Sequence, residues 1–264
     1  MSPPPTPLEF VPGAAPATGR VALVTGGARR IGAAVVRALA SRGYSVAIHC
    51  HASLGEARAL AGELEGAGIP SLAVTANLRD EGPVRAMVHR VADHFGRIDA
   101  VVTCAAIWMR GRLEEATADD LRAHFDVNCV GTFVVAQEAG AVMAAQEAGG
   151  AIVTMGDCAV ARPSLDYAAY FPSKGAIVSL TRSLAVEWAA RNPRIRVNCV
   201  MPGPVTLPAD MEPSARDAAI SGTLVRREGT PEHVAHAVLF LVENDFVTGV
   251  CLPVDGGRTI VTPA

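Results

Sequence analysis

From about residue 20 onward, two patterns of hydrophobic and polar positions alternate along the chain. Short apolar runs rich in β-branched residues are separated by longer segments whose apolar positions recur with a helical period. The short runs predict seven strands, at 21–25, 45–49, 71–75, 100–104, 151–155, 195–200 and 250–254. The longer segments predict helices at about 31–42, 54–66, 81–95, 118–146, 168–190 and 231–243. This alternation predicts an α/β fold, with one doubly wound parallel sheet covered by helices on both faces.

Two segments do not follow this alternation. Residues 1–18 contain six prolines and no apolar period, which predicts a flexible extension preceding one domain at 19–264. Residues 203–229 carry proline and glycine at both ends around a weak helical pattern. This stretch is long for a simple connection, and we expect it to cover a substrate.

Composition and charge exclude several classes of function. The chain has 264 residues, half of them apolar, with 23 basic and 26 acidic residues and a net charge of −3. This balance is unlike that of a disordered tail or of a protein that binds nucleic acid through clustered positive charge. No apolar run is long enough to span a bilayer, and the start lacks the pattern of a secretory signal. We therefore expect a cytoplasmic protein with no membrane or nucleic-acid partner.

The spacing of the cysteines indicates no metal or thiol chemistry, whereas the single lysine is a candidate for a functional residue. None of the six cysteines forms a CxxC pair, so we expect reduced, buried thiols and no metal site. The 23 basic residues are 22 arginines and one lysine, Lys174. A position that keeps lysine in such a chain is a candidate for chemistry that needs a compact ammonium group.

The first predicted strand runs directly into a glycine-rich turn, Thr25-Gly-Gly-Ala-Arg-Arg-Ile-Gly32, followed by a predicted helix. Gly26 and Gly32 allow a tight turn and close approach of a ligand to the backbone. The free amides and positive dipole end of the helix suit a pyrophosphate. In this strand-to-helix context, the turn predicts a dinucleotide site.

The turn after the second predicted strand favours NADPH over NADH. An NAD-binding domain usually has an acidic residue there to hold the ribose hydroxyls. This chain has His49-Cys-His-Ala-Ser53 and no acid. Arg29, His51 and Ser53 can instead supply positive charge and donors for a 2′-phosphate. We assign no role to His49.

Tyr170 and Lys174 are candidates for proton transfer. They are four residues apart, so they share one face of a helix. A nearby ammonium favours the phenolate, so we expect Lys174 to lower the pKa of Tyr170. Asp157 follows the fifth predicted strand and completes the candidate cluster, although an aspartate at this position also suits a turn cap.

These motifs together resemble the short-chain dehydrogenase/reductase family over about residues 20–260. The resemblance rests on the turn at 25–32, Asn128, the Tyr170–Lys174 pair, Pro202-Gly203, and Val254-Asp-Gly-Gly257. It implies a Rossmann-type sheet of about seven strands, hydride transfer with NADP(H), a proton-relay water supported by Asn128, and a homotetramer or homodimer. It also implies the residues that bind the cofactor: Gly26, Arg29, Arg30, Ile31, Gly32, His51, Ser53, Asn77, Ala105, Lys174, Pro202 and Gly203.

Three departures from the general family pattern are similar to its pteridine reductase branch. Arg30 stands where the turn usually has glycine, Asp157 stands where a catalytic serine is usual, and His51 matches that branch. Trp108 falls where the branch has an aromatic residue that stacks on the pterin. The resemblance therefore implies that Arg30, Trp108, Asp157 and Tyr170 contact the substrate.

The chemistry of pterin reduction agrees with this assignment. Hydride is delivered to the carbon of a ring C=N bond while the nitrogen is protonated, so no serine is needed to polarise a ketone oxygen. The leading hypothesis is an NADPH-dependent pteridine reductase in which Asp157, Tyr170, Lys174 and Asn128 handle the proton. Two alternatives remain: a ketone or 3-oxoacyl thioester reductase, and a non-catalytic dinucleotide sensor.

Overall fold

The computed structural model describes residues 19–208 and 210–260, so the predicted extension at 1–18 lies outside the described residues. Seven strands form one parallel sheet in the order β3-β2-β1-β4-β5-β6-β7. The strands are β1 Val21–Thr25, β2 Ser45–Cys50, β3 Ser71–Thr75, β4 Ala100–Thr103, β5 Gly150–Met155, β6 Ile195–Pro202 and β7 Cys251–Val254. The predicted fold class is confirmed.

Helices cover both faces of this sheet. They are α1 Arg30–Ser41, α2 Leu54–Gly66, α3 Glu81–Phe95, α4 Ala118–His124, α5 Gly131–Ala144, α6 Phe171–Ala189, α7 Pro213–Ser221 and α8 Pro231–Glu243. Helix α1 packs beside α8 over one face, and α3 packs beside α5 over the other. Central strands such as β1 are buried along their whole length, which explains why they are continuous apolar runs without alternation.

The predicted helix at 118–146 is wrong as a single α-helix. The chain forms α4, then a π-helical segment at Phe125–Val130, then α5. Asn128 lies in the π-helical segment, is 1% exposed, and bonds to the backbone of Ile107 and to Ser173. The wider turn therefore coincides with a buried polar side chain that must reach partners outside its own helix.

The predicted helix at 168–190 begins later than expected, at Phe171. A helix that started at Ala168 would need an amide hydrogen on Pro172, which proline lacks. Pro172 suits the first turn of α6 instead. Tyr170 becomes the N-cap residue, and its carbonyl still accepts from the backbone N–H of Lys174 at 3.4 Å, so the four-residue relation is kept.

Among the described residues, Ala118–Ala144 is the one helical stretch whose length and composition would allow it to cross a membrane. Its most apolar 18-residue window is 56% buried. Its α5 part contributes Val134, Val135, Ala139 and Met143 to the core on one face of the sheet. It therefore has the environment of a core helix.

The order of the strands places the site. The chain winds outward from β1 to β3, returns to β4 beside β1, and continues to β7. The direction of winding thus reverses between β1 and β4. The crossovers on the two sides of this point leave a crevice at the carboxyl ends of β1 and β4, where ligands bind in folds of this type.

Candidate functional site

A cavity of about 690 Å³ occupies this crevice. Its walls come from the turn after β1, the turn after β2, and the segments that follow β3, β4 and β6. It brings together nine of the residues expected to bind the cofactor: Gly26, Arg29, Arg30, Ile31, Gly32, His51, Ser53, Asn77 and Ala105. Most of the predicted cofactor site is therefore one continuous surface.

The two predicted glycines are required by close backbone approach. A Cβ atom on Gly32 would lie 2.0 Å from the carbonyl oxygen of Gly26, and one on Gly26 would lie 2.8 Å from the Cα of Ala105. Gly26 also has a φ of +62°, in the left-handed region. The turn thus stays close to β4 and leaves the start of α1 open to the cavity.

Arginines dominate the charge of this cavity. Arg29, Arg30 and Arg79 line it, and its described lining includes no Asp or Glu. Arg29 is paired with Glu56 on α2, and both side chains are exposed to solvent. Arg30 has a φ of +48°, so a non-glycine residue holds a left-handed conformation at the mouth of the turn.

Three residues at this end had no predicted role. Arg79 adds a cation after β3. Thr206 lines the cavity with a φ of +55° and a buried hydroxyl that has no hydrogen-bond partner within the described chain. His49 accepts from the Gly26 N–H and donates to the Ala76 carbonyl, and burial lowers its pKa to about 4. Arg79 and Thr206 carry no local sequence pattern that separates them from other loop residues.

The predicted proton-transfer residues come together at the end of β5. The hydroxyl of Tyr170 donates to Asp157 Oδ2 at 2.8 Å. Asp157 Oδ1 accepts from the backbone N–H of Ala159, also at 2.8 Å, at the start of a short 3₁₀ turn, Cys158–Val160. Asp157 therefore caps a turn and bonds to Tyr170 at the same time.

Lys174 and Asn128 are buried near Asp157 and Tyr170 and contact the backbone around them. The buried Lys174 ammonium donates to the carbonyl of Met155 at 2.8 Å. The amide of Asn128 donates to the hydroxyl of Ser173, which in turn donates to the carbonyl of Tyr170. Asn128 thus connects the π-helical segment to the start of α6.

The expected lowering of the Tyr170 pKa is wrong. The pKa of Tyr170 is raised above its usual value, first by burial and then by the charge of Asp157 and the hydrogen bond to it. The pKa of Lys174 is itself lowered by burial, with Asp157 acting in the opposite direction. Tyr170 is accordingly a neutral phenol that donates a hydrogen bond to a carboxylate.

The structure places the remaining predicted residues outside the walls of the cavity. Trp108 stacks on Tyr167, with ring centroids 5.2 Å apart and an interplanar angle of 10°, and is 48% exposed. Tyr167 in turn meets the edge of Tyr170 at 6.4 Å. Pro202 ends β6, and Gly203 packs against Asp255, where a Cβ atom would lie 2.5 Å from the Asp255 Cα. The residues that follow them, Val205 and Thr206, line the cavity instead.

Comparison with known proteins gives consistent matches. The family described as enoyl-(acyl carrier protein) reductase matches residues 26–259. A 3-oxoacyl-[acyl-carrier-protein] reductase of Rattus norvegicus is 34% identical over 90% of this chain and 97% of its own length. Among solved structures, a blue fluorescent protein from a metagenomic library, in complex with NADPH, is 36% identical. It covers 91% of this chain and 98% of its own, with a TM-score of 0.84.

A second solved structure is similar at the same level. FolM alternative dihydrofolate reductase 1 from Brucella suis, in complex with NADP, is 32% identical. It covers 93% of this chain and 97% of its own, with a TM-score of 0.84.

Proposed function

The chain belongs to the short-chain dehydrogenase/reductase family and is an NAD(P)-dependent oxidoreductase, and we propose that it reduces a pteridine with NADPH. The bond reduced is a ring C=N bond of a dihydropterin or dihydrofolate. The observation that carries the proposal is the hydrogen bond from Tyr170 to Asp157, at the position where a serine is usual in the family.

The cavity fits an NADP(H) molecule. The close contact between Gly26 and Gly32 leaves the amino end of α1 accessible, which suits the pyrophosphate. The absence of an acidic side chain from the described lining, together with Arg29, Arg30, Arg79 and His51, suits the 2′-phosphate that distinguishes NADPH from NADH. The NADP(H) complexes of two similar proteins support the same cofactor.

Asp157 suits a substrate that donates hydrogen bonds. An ionised carboxylate has only acceptors, so it cannot stabilise the oxygen of a ketone as that oxygen gains negative charge. A pterin carries ring N–H and amino groups that donate. With Oδ1 held by the Ala159 amide, Oδ2 is directed at Tyr170 and can accept from a substrate N–H beside it.

The roles of the other residues follow from their contacts. The bound cofactor supplies the hydride that reaches the ring carbon. Tyr170, kept neutral by burial and by Asp157, provides the proton for the ring nitrogen. Lys174, fixed by the Met155 carbonyl, is assigned to holding the bound cofactor, as the family resemblance implies. Arg30, exposed at the turn, is placed to donate to the cofactor phosphate and to a pterin carbonyl.

A ketone or 3-oxoacyl thioester reductase is the second candidate. It is favoured by the 34% identity to a 3-oxoacyl-[acyl-carrier-protein] reductase, and it requires the same Tyr170 and Lys174. The two candidates differ at residue 157, because carbonyl reduction benefits from a hydroxyl donor at that position.

The variant Asp157→Ser tests the proposal. The rate of NADPH consumption is followed at its absorbance, with dihydrobiopterin and with a simple ketone as substrates. We expect the variant to lose pterin reduction by about 100-fold or more and to gain ketone reduction, because serine replaces an acceptor with a donor. The variant Asp157→Asn is the matched control, since it keeps the size of the side chain and removes the charge.

Tyr170→Phe serves as the reference for loss of proton transfer and should reduce turnover by about 100-fold or more with either substrate. An unchanged rate of pterin reduction in Asp157→Ser would contradict the proposal and leave Asp157 as a turn cap only.

A further inference from the structure

A loop between β4 and α4, residues 104–117, carries Trp108 and is held from both sides of that residue. We call this segment the wall loop. The amide of Asn128 accepts from the Ile107 N–H at 2.8 Å and donates to the Ile107 carbonyl at 3.1 Å. On the other side, the backbone N–H of Met109 donates to Nε2 of His124 at 3.3 Å. Trp108 is therefore bracketed by two side chains from one helical stretch.

His124 is buried completely and has a defined proton position. Its Nδ1 lies 2.7 Å from the carbonyl oxygen of Asp120, which can only accept, and its Nε2 faces the Met109 amide, which can only donate. The contacts therefore assign the donor role to Nδ1 and the acceptor role to Nε2. Both ring nitrogens of this buried side chain thus have a partner.

The same ring also contacts the proton-transfer residue. The rings of His124 and Tyr170 meet edge to face, with centroids 5.8 Å apart. His124 thus links the wall loop to the side chain whose hydroxyl bonds to Asp157.

The far side of the wall loop is tied to the segment that precedes α6. Trp108 stacks on Tyr167, Arg110 pairs with Asp166 at 2.7 Å, and the Gly111 N–H donates to the Asp166 carbonyl at 2.8 Å. These contacts produce a stacked pair of rings, Trp108 and Tyr167, whose Tyr167 member meets the edge of Tyr170. His124 bonds to the residue that follows Trp108.

We propose that His124 is a positioning residue that holds the wall loop so that the stacked pair of Trp108 and Tyr167 stays beside Tyr170, where the exposed part of the Trp108 ring contacts a planar ring substrate. The identity of the ring as a pteridine rests on the proposed function. The role of His124 in holding the wall loop does not. Loss of the Met109 hydrogen bond frees the backbone next to Trp108 and weakens ring binding without removing any group that transfers a proton.

Two variants separate the hydrogen bond from the packing of the ring. His124→Leu fills a similar volume against Tyr170 but cannot accept from Met109. His124→Gln keeps an acceptor, its amide oxygen, near the position of Nε2. We expect His124→Leu to raise the KM for dihydrobiopterin about tenfold with little change in kcat, as for one lost buried hydrogen bond. We expect His124→Gln to restore the KM to near the wild-type value.

A second measurement does not depend on any substrate. The chain has two tryptophans, and Trp188 is buried, so acrylamide quenching of fluorescence reports mainly on Trp108. A Trp108→Phe variant gives the contribution of Trp188 for subtraction. Quenching of Trp108 should increase in His124→Leu and return toward the wild-type value in His124→Gln.

Unchanged quenching in His124→Leu would overturn the proposal. So would equal impairment of both variants with a matching fall in melting temperature, because that pattern belongs to a residue needed only for folding. If wild-type protein reduces none of dihydrobiopterin, dihydromonapterin and dihydrofolate, the proposed function fails, and the quenching comparison still decides whether His124 holds the wall loop.

Discussion

Arg30 has a backbone conformation that is unfavourable for a residue with a side chain. It takes a φ of +48°, where a side chain costs about 1–2 kcal/mol relative to a right-handed conformation. Its guanidinium is exposed and lines the cavity together with Arg29 and Arg79. Strain of this kind persists where a side chain serves a ligand rather than stability.

Replacing Arg30 by glycine should therefore stabilise the folded chain and weaken the binding of NADPH. We expect a gain of about 1 kcal/mol in the free energy of unfolding, since relief of strain is offset in part by the added freedom of the unfolded chain. Urea unfolding and fluorescence titration with NADPH measure the two effects. Arg29→Gly is the control, because Arg29 has a φ of −143° and gains nothing from glycine. No gain in stability for Arg30→Gly would show that the turn is not strained.

Residue identity predicts some members of the site and misses others. Asp157, Tyr170 and Lys174 are recognisable because their types and spacing are unusual, and the structure places them together. Tyr167 and His124 contact partners distant in sequence, Trp108 and Met109, and no local pattern indicates such pairs. The direction of the Tyr170 pKa shift was missed because burial, the largest cause of the raised pKa, is not given by the sequence.

At the scale of elements, His49 joins three parts of the sheet edge. It lies on β2, accepts from the Gly26 amide in the turn after β1, and donates to the carbonyl of Ala76 just beyond β3. An imidazolium ring cannot accept from Gly26, so protonation of His49 breaks the contact that holds the cofactor turn.

The stability of the chain should therefore fall in mild acid. Burial lowers the pKa of His49 from 6.5 to about 4, so between these pH values the unfolded chain binds a proton that the folded chain does not. The contribution is fully present above pH 6.5 and is lost as the pH falls toward 4, by about 3 kcal/mol in total. Urea unfolding at a series of pH values measures this loss. The variant His49→Gln, which does not titrate, should show a shallower slope in that range, and equal slopes would contradict the assignment.

Strands were predicted more closely than the two long helices next to the site. The apolar run at 21–25 coincides with β1. Both faces of this strand are buried, so every position in it is apolar or otherwise suited to the core, and the run is easy to recognise. The helix at 118–146 is interrupted at the segment where Asn128 bonds to partners in other elements. Such a break follows from tertiary contacts and leaves the apolar period of the sequence unchanged.

At the scale of the whole molecule, the order of motifs along the chain was enough to predict one sheet of seven parallel strands. The sheet then determines that the glycine turn, the loop after β4 and the Asp157 cluster meet at the same edge, because the carboxyl ends of parallel strands lie together. The expected homotetramer or homodimer and the cytoplasmic location stay predictions. The segment 203–229 contains α7 and a bridge between Val205 and Gly229, and its role as a cover for substrate also stays a prediction.

The most direct test of the central claim is the consumption of NADPH by the purified wild-type protein, followed by absorbance. Dihydrobiopterin, dihydromonapterin and dihydrofolate are presented beside an acetoacetyl thioester and a simple ketone. We predict saturable oxidation of NADPH with a dihydropterin, because Asp157 accepts hydrogen bonds where a carbonyl reductase needs a donor. Oxidation with the carbonyl compounds alone would contradict the pteridine assignment and leave the fold and the roles of Tyr170 and Lys174 in place.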